Sequence, residues 1–600
     1  VGSRVAFLRD AKYFYRKRSD GTSALDTAWT KPSGYDEVLR YGCLQTLKAY
    51  DDILGYVPRF VQTSVIYYHI WQIHRIINND NALSFLTKEQ QNNYLSLLKK
   101  IFVYIDENAI HSFGLANAWF YHKAGMLHLY KELAPDADKQ IFYVEKYDAR
   151  NIEALFYYFA PANSIASFKI DGKEIIPSER KILSHTFLNQ TFIYEYRYWV
   201  PLDRDGLFSL EVDGKPVQLG FGGAHYSQVK DIKQRFDTIL KYPNTADVWL
   251  IMDRDVQADD NAEHFYRYVK ENHPEVECYF GLRKNSPDWV RLEQEGFNLL
   301  DFGSYRFERI LKSCSKIISS HADNYIVDYF KDQSLIGKDF VFLPHGVFQN
   351  DWHKWMNSKI HNMSLFITTT NEEHRSIAGD YNHYKYGNKV VKQLGFPRHD
   401  ALLKNNSFGN KTILVMPTWR KYLIGPHDPE TGLWQKNTSF MDSFYAQCWK
   451  RLLVSLELKN LVEHYGYQVI FAPHKYVEAY LSEFELPNYI QIWKAGDNTS
   501  IQELFQNADL MVTDYSSVAF EMAYLNKLVI YYQFDYDEFY AHHAGRGYFD
   551  YSQHGFGPVV MNQEDLLKQL EIVLKGKAKP FTPYKERIEH TFSNRDQNNC

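Results

Sequence analysis

The sequence has little cysteine, and the cysteine it has is not clustered. Its five cysteines are spread singly over 600 residues, and no two stand at a CxxC spacing. Zinc clusters and disulfide frameworks depend on closely spaced pairs of that kind. The sequence therefore offers no zinc cluster and predicts a protein of a reducing compartment without a disulfide framework.

Long apolar runs and a strong excess of one charge are missing as well. No stretch approaches the ~20 apolar residues that span a bilayer, so the sequence predicts a soluble or peripheral protein. The formal net charge is -5, whereas an extended nucleic-acid surface is strongly basic. We therefore expect no nucleic-acid partner, and an anionic ligand would be held by a local group of cations.

In the first part of the chain, the spacing of the apolar residues changes near residue 139. Residues 1–138 carry apolar side chains at helical spacing, and residues 139–219 carry short β-type runs separated by Asp-Gly turns. The first segment predicts a helical module and the second a small all-β domain. Six hundred residues are in any case too many for one core.

The remaining chain alternates short apolar runs with helical patterns over residues 220–403 and again over residues 404–600. Strands that alternate with helices indicate βαβ units and parallel sheets. There are about twice as many strands as one doubly wound sheet needs. We predict an α/β fold in which two Rossmann-like domains face a cleft, preceded by the helical and all-β modules.

Polar residues recur at the carboxyl ends of three predicted strands in the last third. PTWR follows TILVM, PHK follows VIFA, and TDYSS follows DLMV. Open α/β sheets bind ligands at that edge, and helix starts with nearby cations hold anions. We predict a diphosphate site made of Arg420, His474, Lys475, Thr513, Asp514, Ser516 and Ser517. The alternative for TDYSS is a helix cap, in which a side chain satisfies the first free amides.

A histidine stands at another predicted strand end, in VFLPHGVFQN. This is His345, and Gly346 after it allows a backbone or a ligand to approach closely. Many histidines are structural, because the imidazole ring makes versatile hydrogen bonds. Facing the cleft from the opposite domain, His345 is instead predicted to deprotonate a hydroxyl near neutral pH.

One acidic pattern competes as a metal site. Asp253 and Asp255 stand in a DxD spacing, which suits a divalent ion on a nucleotide diphosphate. The spacing is common by chance, and Asp259, Asp260 and Asn261 stand where helix caps belong before AEHFYRYV. We therefore expect no required cofactor, with a divalent metal as the less favoured alternative.

Seven segments resemble the CDP-glycerol glycerophosphotransferases, the teichoic acid polymerase family. They are DDNAEHFYRYV, LPHG, LGFPRHDALL, VMPTWR, FAPHKY, NADLMVTDYSSVAFEMAYL and GRGYFDY, between about Phe221 and Ile588. The resemblance implies a GT-B fold. It also implies that His345 is the base for the acceptor hydroxyl and that His474 stabilises the pyrophosphate or the departing CMP.

The same resemblance assigns further residues to the two substrates. Ser516 and Ser517 would bind phosphate, and Arg546 would also contact the donor. Gly346 and Arg398 would lie on the acceptor side.

The implied reaction is attack of a polyol or sugar hydroxyl on the β-phosphorus of CDP-glycerol or CDP-ribitol, with release of CMP. The acceptor would be a sugar-ended or polyol-phosphate-ended oligosaccharide of a capsule or teichoic acid. Such transfer depends mainly on positioning and charge stabilisation. We expect a cytoplasmic enzyme that contacts the inner face of the cell membrane peripherally at most.

The chain departs from the family pattern at several places. VFQN at residues 347–350 replaces the usual Thr-Pro and lysine after the His-Gly pair. Lys475 replaces a proline, Glu521 an aspartate and Leu528 a proline. These departures leave the reaction class intact and leave the acceptor open.

The segment from Tyr13 to Trp29, YFYRKRSDGTSALDTAW, resembles the tail of a GT-A glycosyltransferase of the kind fused to such polymerases. By itself the segment reads as a basic loop. The resemblance implies a sugar transferase module or partner. Because Val1-Gly2-Ser3 lacks a methionine, we expect a piece of a longer protein.

Two other functions stay open. A GT-B sugar-nucleotide glycosyltransferase would form a glycosidic bond and attach a bare sugar. A non-catalytic scaffold would bind polysaccharide through aromatic surfaces, and aromatic residues make up 16% of the chain. His345, His474 and the serine pair argue against the scaffold, because a binding protein needs no base.

Overall fold

The computed structural model describes most of the chain. The described residues are 28–79, 81–135, 140–221, 224–237, 242, 244–332, 334–335, 337–359, 362–425, 435–494, 497, 499–592, 595–596 and 598–600. The chain divides into two compact units, Val1–Lys230 and Asp231–Cys600. Most of the segment that resembles a GT-A tail, residues 13–27, lies outside the described residues.

The first unit begins with helices, as predicted. One of them starts with a capping box, in which Thr87 and Gln90 each accept a hydrogen bond from the other's amide. The helices are Gln45–Leu54, Arg59–Ile76, Lys88–Phe102, Glu107–His111 and Phe120–Lys131, after a 3-10 turn at Pro32–Tyr35 and a π-helix at Val38–Leu44.

A nine-stranded sheet completes this unit, in the order β4-β3-β7-β8-β1-β2-β6-β5 with β9 paired to β8. Both predicted Asp-Gly turns close hairpins, since Asp171 and Gly172 have φ of 49° and 75° and Asp213 and Gly214 have φ of 50° and 76°. Positive φ at both central residues is the favoured geometry of a two-residue hairpin turn. The strands are β1 (Ile141–Asp148), β2 (Glu153–Ala160), β3 (Ala166–Ile170), β4 (Lys173–Ile175), β5 (Glu179–Phe187), β6 (Gln190–Pro201), β7 (Phe208–Val212), β8 (Lys215–Phe221) and β9 (Ala224–His225).

Helices and sheet of the first unit share a hydrophobic core. Phe159, Phe187 and Phe192 from the strands belong to the same buried cluster as the helices. Gly125 lets its helix approach closely, because a Cβ there would overlap the Phe192 ring. The domain boundary predicted between residues 138 and 139 therefore falls inside one compact unit.

The second unit contains two parallel sheets. Their strand orders are β12-β11-β10-β13-β14-β15-β16 and β19-β18-β17-β20-β21-β22. Each order places the first strand inside the sheet and reverses direction beside it, as in a Rossmann fold. The strands are β10 (Val248–Met252), β11 (Glu277–Leu282), β12 (Leu299–Asp301), β13 (Lys316–Ser319), β14 (Asp339–Phe342), β15 (Met363–Thr368), β16 (Val391–Gln393), β17 (Thr412–Val415), β18 (Gln468–Phe471), β19 (Ile490–Ile492), β20 (Leu510–Thr513), β21 (Leu528–Tyr532) and β22 (Val559–Val560). The predicted α/β class with two Rossmann-like domains is confirmed.

The central strands explain why the sequence carries unbroken apolar runs. Strands β17, β20 and β21 are buried along their whole length. A parallel strand is covered on both faces by helices, so it has no solvent side on which polar residues could alternate.

Helices flank both sheets. They are Val229–Asp237, Asn261–Asn272, Trp289–Gln294, Tyr305–Ser313, Asn324–Val327, His353–Lys359, Asn371–Ala378, Pro397–Lys404, Phe444–Leu453, Leu456–Tyr465, Lys475–Glu478, Leu481–Phe484, Ile501–Asn507, Ala519–Tyr524, Tyr536–His542, Tyr551–His554, Gln563–Lys575 and Tyr584–Thr591, with a 3-10 turn at Lys421–Leu423. In the described part of the chain, no helix has both the length and the apolar character needed to cross a membrane.

Candidate active site

A cleft of about 680 Å³ lies between the two Rossmann-like halves of the second unit. One wall is formed by the loops after β10, β13 and β14, and the other by the loops after β17, β18 and β20. In both sheets, two of these loops flank the point where the strand order reverses. Open α/β sheets bind ligands at that point.

The cleft brings together part of the predicted site. The predicted substrate-site residues that line the cleft are His345, Gly346, His474, Lys475, Ser516 and Ser517. The halves touch where Gly346 meets Ser517, since a Cβ added to Gly346 would lie 2.5 Å from the serine Oγ. Only glycine permits this approach. The roles given to these residues stay predictions.

His345 is exposed to the cleft. Its ring lies parallel to the ring of His321, with centroids 4.8 Å apart and an angle of 7° between the planes. Because the ring lies inside the cleft, the surrounding protein limits the water around it and lowers the pKa of His345; the positive charge of Arg254 lowers this pKa further, while Asp260 opposes the shift. A neutral imidazole is the form that can accept a proton near neutral pH.

The loop after His345 is held from both halves. Glu373 accepts a hydrogen bond from the Phe348 amide at 2.7 Å, and burial raises the pKa of Glu373 to about 7. Gln349 donates to the Tyr515 carbonyl at 2.6 Å and to the Tyr551 hydroxyl at 3.2 Å, both in the other half. Gln349, one of the residues that depart from the family pattern, thus fastens the His345 loop across the interface of the two halves.

His474 begins the short helix Lys475–Glu478, and its Nδ1 accepts a hydrogen bond from the Tyr476 amide at 3.4 Å. Since the amide is the donor, a neutral His474 carries its proton on Nε2, where it can be donated to a ligand. The ring stacks on Trp419, with centroids 5.7 Å apart. Burial first, and then the charge of Arg254, lowers the pKa of His474 to about 3.

Ser516 and Ser517 are half-buried in the cleft wall. The helix after them, Ala519–Tyr524, has no side-chain cap. Ser516 Oγ lies 3.5 Å from the Val518 amide, which is the outer limit of a hydrogen bond. The serines therefore satisfy the capping alternative poorly, and their hydroxyls face the cleft.

Arg420, Thr513 and Asp514 lie behind the cleft wall. Arg420 is buried and pairs with Asp514 at 2.8 Å and with Asp535 at 2.7 Å. Thr513 is also buried, and its hydroxyl donates to the Met416 carbonyl at 2.6 Å. These three predicted donor ligands instead tie together the loops after β17 and β20, so their predicted contact with a phosphate has no support in this arrangement.

Arg398 joins the two halves behind the cleft wall, since it does not line the cleft itself but its partner Asp260 does. Its guanidinium pairs with Asp260 of the first half at 2.7 Å and with Glu521 of the second. His399 Nε2 lies 3.0 Å from the same glutamate, and Arg398, His399 and Glu521 are all buried. Arg546 is exposed and lies over two tyrosine rings outside the cleft lining. The predicted substrate contacts of both arginines stay predictions.

The DxD pattern is used within the protein. Asp253 accepts hydrogen bonds from three backbone amides around the start of helix Asn261–Asn272, and Asp255 pairs with Arg283 at 2.6 Å. Asp260 caps the same helix, in agreement with the capping interpretation. Among the described residues, no three His, Cys, Asp or Glu side chains are arranged to hold a metal ion.

Arg254 and His321 are among the residues of the cleft wall that sequence reasoning misses. Arg254 stands inside the DxD pattern, where the metal interpretation draws attention to its neighbours. His321 follows the predicted strand KIISS. The strand-end rule that found His345 applies equally to His321.

Comparison with known proteins gives a consistent result. The model of the CDP-glycerol:poly(glycerophosphate) glycerophosphotransferase family matches residues 234–599. The minor teichoic acid biosynthesis protein GgaB of Bacillus subtilis (strain 168) is 26% identical over 99% of this chain and 76% of its own length. The teichoic acid poly(glycerol phosphate) polymerase of the same strain is 21% identical over 56% of this chain and 45% of its own length. A solved structure of the wall teichoic acid polymerase TagF is similar at 16% identity and a TM-score of 0.44, over 61% of this chain and 92% of that chain.

Proposed function

Because the chain belongs to the CDP-glycerol:poly(glycerophosphate) glycerophosphotransferase family, we propose that its cleft transfers a polyol phosphate from a CDP-polyol to a hydroxyl of a growing surface polysaccharide. Family membership confirms the resemblance seen in the sequence. The observation that carries the proposal is the single cleft in which His345 of one half shares a space with His474 and the serine pair of the other.

The chemistry of each wall supports one part of the transfer. On the first half, a neutral His345 exposed to the cleft suits a general base. On the second half, His474 presents an Nε2–H, Lys475 is exposed, and the hydroxyls of the serine pair line the cleft. Donors of this kind bind phosphate oxygens, and cations offset the charge of a diphosphate.

In the proposed step, the acceptor oxygen forms a bond to the β-phosphorus of the donor. The bond from that phosphorus to the bridging oxygen breaks, and its electron pair leaves with CMP. The acceptor's proton passes to His345. Since the described carboxylates of the DxD pattern are already engaged, we propose that protein cations and amides replace a divalent metal.

The identity of the substrates is part of the same proposal. The donor is CDP-glycerol or CDP-ribitol, and the acceptor is a sugar-ended or polyol-phosphate-ended oligosaccharide. A sugar transferase module or partner supplies the sugar end, and the enzyme works at the inner face of the cell membrane. Support comes from the names of the relatives, a minor teichoic acid biosynthesis protein and a poly(glycerol phosphate) polymerase.

Release of CMP from each CDP-polyol, measured against a panel of acceptor oligosaccharides, tests the proposal. We expect CMP only when an acceptor is present, an acceptor mass increased by one polyol phosphate per turnover, and no loss of rate with EDTA. His345→Ala should lower kcat by about 10²- to 10⁴-fold and leave donor affinity near normal, because the base acts on the acceptor.

The matched control is His273→Ala, which removes an exposed histidine of the same half outside the cleft lining. It should retain wild-type kcat. Near-normal activity in His345→Ala would contradict the role of the base. Consumption of a sugar nucleotide with formation of a glycosidic bond would contradict the reaction class.

A further inference from the structure

Arg254 and His321 lie together where the strand order of the first half reverses, in the loops after β10 and β13. Arg254 Nε donates a hydrogen bond to His321 Nε2 at 2.9 Å. A guanidinium can only donate, so His321 Nε2 is the acceptor and the ring carries its proton on Nδ1. Nδ1 lies 2.9 Å from Ser320 Oγ, which can accept a hydrogen bond from its N–H. The contacts therefore fix a neutral tautomer of His321.

The neutral state of His321 agrees with its surroundings. Burial holds the pKa of His321 well below its ordinary value, the charge of Arg254 lowers it further, and protonation of His345 would do the same. His321 thus keeps its acceptor nitrogen for Arg254 at neutral pH. It positions the guanidinium without cancelling its charge.

Neither aspartate next to Arg254 in sequence pairs with its guanidinium. Asp253 is occupied by three backbone amides and Asp255 by Arg283. In the described residues, no carboxylate forms an ion pair with Arg254, which is half-buried and lines the cleft. A guanidinium has five N–H donors, and the contact with His321 uses the one on Nε.

Arg254 lines the same cleft as the two sets of groups that the proposed reaction needs. Burial is the first cause that lowers the pKa of His345 on its own half and of His474 and Lys475 on the other, and the charge of Arg254 lowers each of these pKa values further. His321, which holds it, lies with its ring parallel to the ring of His345. The guanidinium is therefore near both the predicted base and the predicted diphosphate-binding groups.

We propose that Arg254 is a catalytic residue that binds the phosphoryl group in transfer, and that His321 is the positioning residue that holds its guanidinium. The inference rests on the proposed function. As the bond from the acceptor oxygen to phosphorus forms and the bond to the bridging oxygen breaks, the non-bridging oxygens accept hydrogen bonds from the terminal N–H groups of Arg254. A planar guanidinium fork binds phosphate oxygens in pairs, and a fixed cation in a cleft needs no reorganisation during reaction.

Steady-state kinetics with CDP-glycerol, CDP-ribitol and the acceptor panel test the role of Arg254. Arg254→Ala should lower kcat by about 10²- to 10³-fold with little change in KM for either substrate, and added guanidinium ion should restore part of the rate. Arg254→Lys keeps the charge but lacks the fork, so it should recover only part of kcat. Arg306→Ala removes an exposed arginine of the same half outside the cleft and should match the wild type.

The role of His321 is tested by a pair of variants. His321→Ala removes the acceptor of Arg254 and should lower kcat. His321→Gln offers an amide oxygen to the same N–H and should restore most of it. A merely structural role would make kcat follow the melting temperatures of the two variants instead of their ability to accept a hydrogen bond.

The outcomes separate this inference from the proposed function. An active wild type whose folded Arg254→Ala variant keeps its kcat overturns the inference alone. A rise in acceptor KM with unchanged kcat also overturns it, because Arg254 would then bind an anion of the acceptor. A wild type that releases CMP from neither CDP-polyol overturns the proposed function, and the inference with it.

Discussion

The two Rossmann-like halves each place an arginine soon after their first strand, and the two arginines have opposite surroundings. Arg420, after β17, is buried between Asp514 and Asp535. Arg254, after β10, lies in the cleft wall and donates to a neutral histidine. Two carboxylates neutralise a guanidinium, whereas a neutral acceptor fixes its position and leaves its charge for a ligand. The partner of each arginine, rather than its place at a strand end, decides whether it can meet a phosphate.

The largest expected effect tests how much each of the two arginines contributes to the stability of the fold. Arg420→Ala leaves two buried carboxylates without their partner, so the free energy of unfolding should fall by about 3 to 5 kcal/mol. Arg254→Ala removes no described ion pair but one hydrogen bond to the buried His321, so it should lower the same free energy by only about 1 kcal/mol. Chemical denaturation of the two variants measures the difference. Equal losses would show that Arg254 is as structural as Arg420.

The next effect tests the different roles proposed for the two halves. The second half binds the donor, and the first half acts on the acceptor. Ser516→Ala combined with Ser517→Ala should weaken CDP-polyol binding by about 1 to 3 kcal/mol, because two donors to phosphate are lost. Stability should change little, since the following helix has no side-chain cap. Isothermal titration and a melting curve measure the two quantities. A lower melting temperature with unchanged donor affinity would restore the capping alternative.

Most of the fold could be predicted because the interior strands of both parallel sheets are short unbroken apolar runs. Within these two parallel sheets, the strands that sequence reasoning misses are β12, β16, β19 and β22, and each forms an edge of its sheet. They span only two or three residues. An edge strand is covered less and pairs on one side, so neither its length nor its composition gives a clear signal.

The site was predictable to the extent that strand ends converge, and this rule finds His345, His474 and the serine pair. It cannot tell Arg420 from Arg254, because burial and pairing are tertiary properties. The carboxylate of Asp535 that holds Arg420 lies 115 positions away in sequence. Likewise, nothing local to the DxD pattern shows that both aspartates are engaged and that the arginine between them donates to a histidine instead of pairing with a carboxylate.

The smallest expected effect is on the pH dependence of kcat/KM, and it tests whether the charge of Arg254 reaches the proton transfer. His345 must be neutral to take a proton, and its pKa lies below the ordinary 6.5. As pH falls, kcat/KM should therefore hold to about 6.5 and decline only below it, as His345 becomes protonated. His474, with a pKa of about 3, does not titrate in this range.

Removal of Arg254 should move that decline to higher pH. A positive charge disfavours protonation, so its loss raises the pKa of His345 toward 6.5. The residual activity of Arg254→Ala, normalised to its own maximum, gives the midpoint, and Arg306→Ala should keep the wild-type midpoint. An unchanged or lower midpoint in Arg254→Ala would mean that the charge of Arg254 does not reach His345. The cleft arginine would then be as remote from the proton transfer as the buried Arg420, and the contrast between the two halves would no longer bear on the reaction.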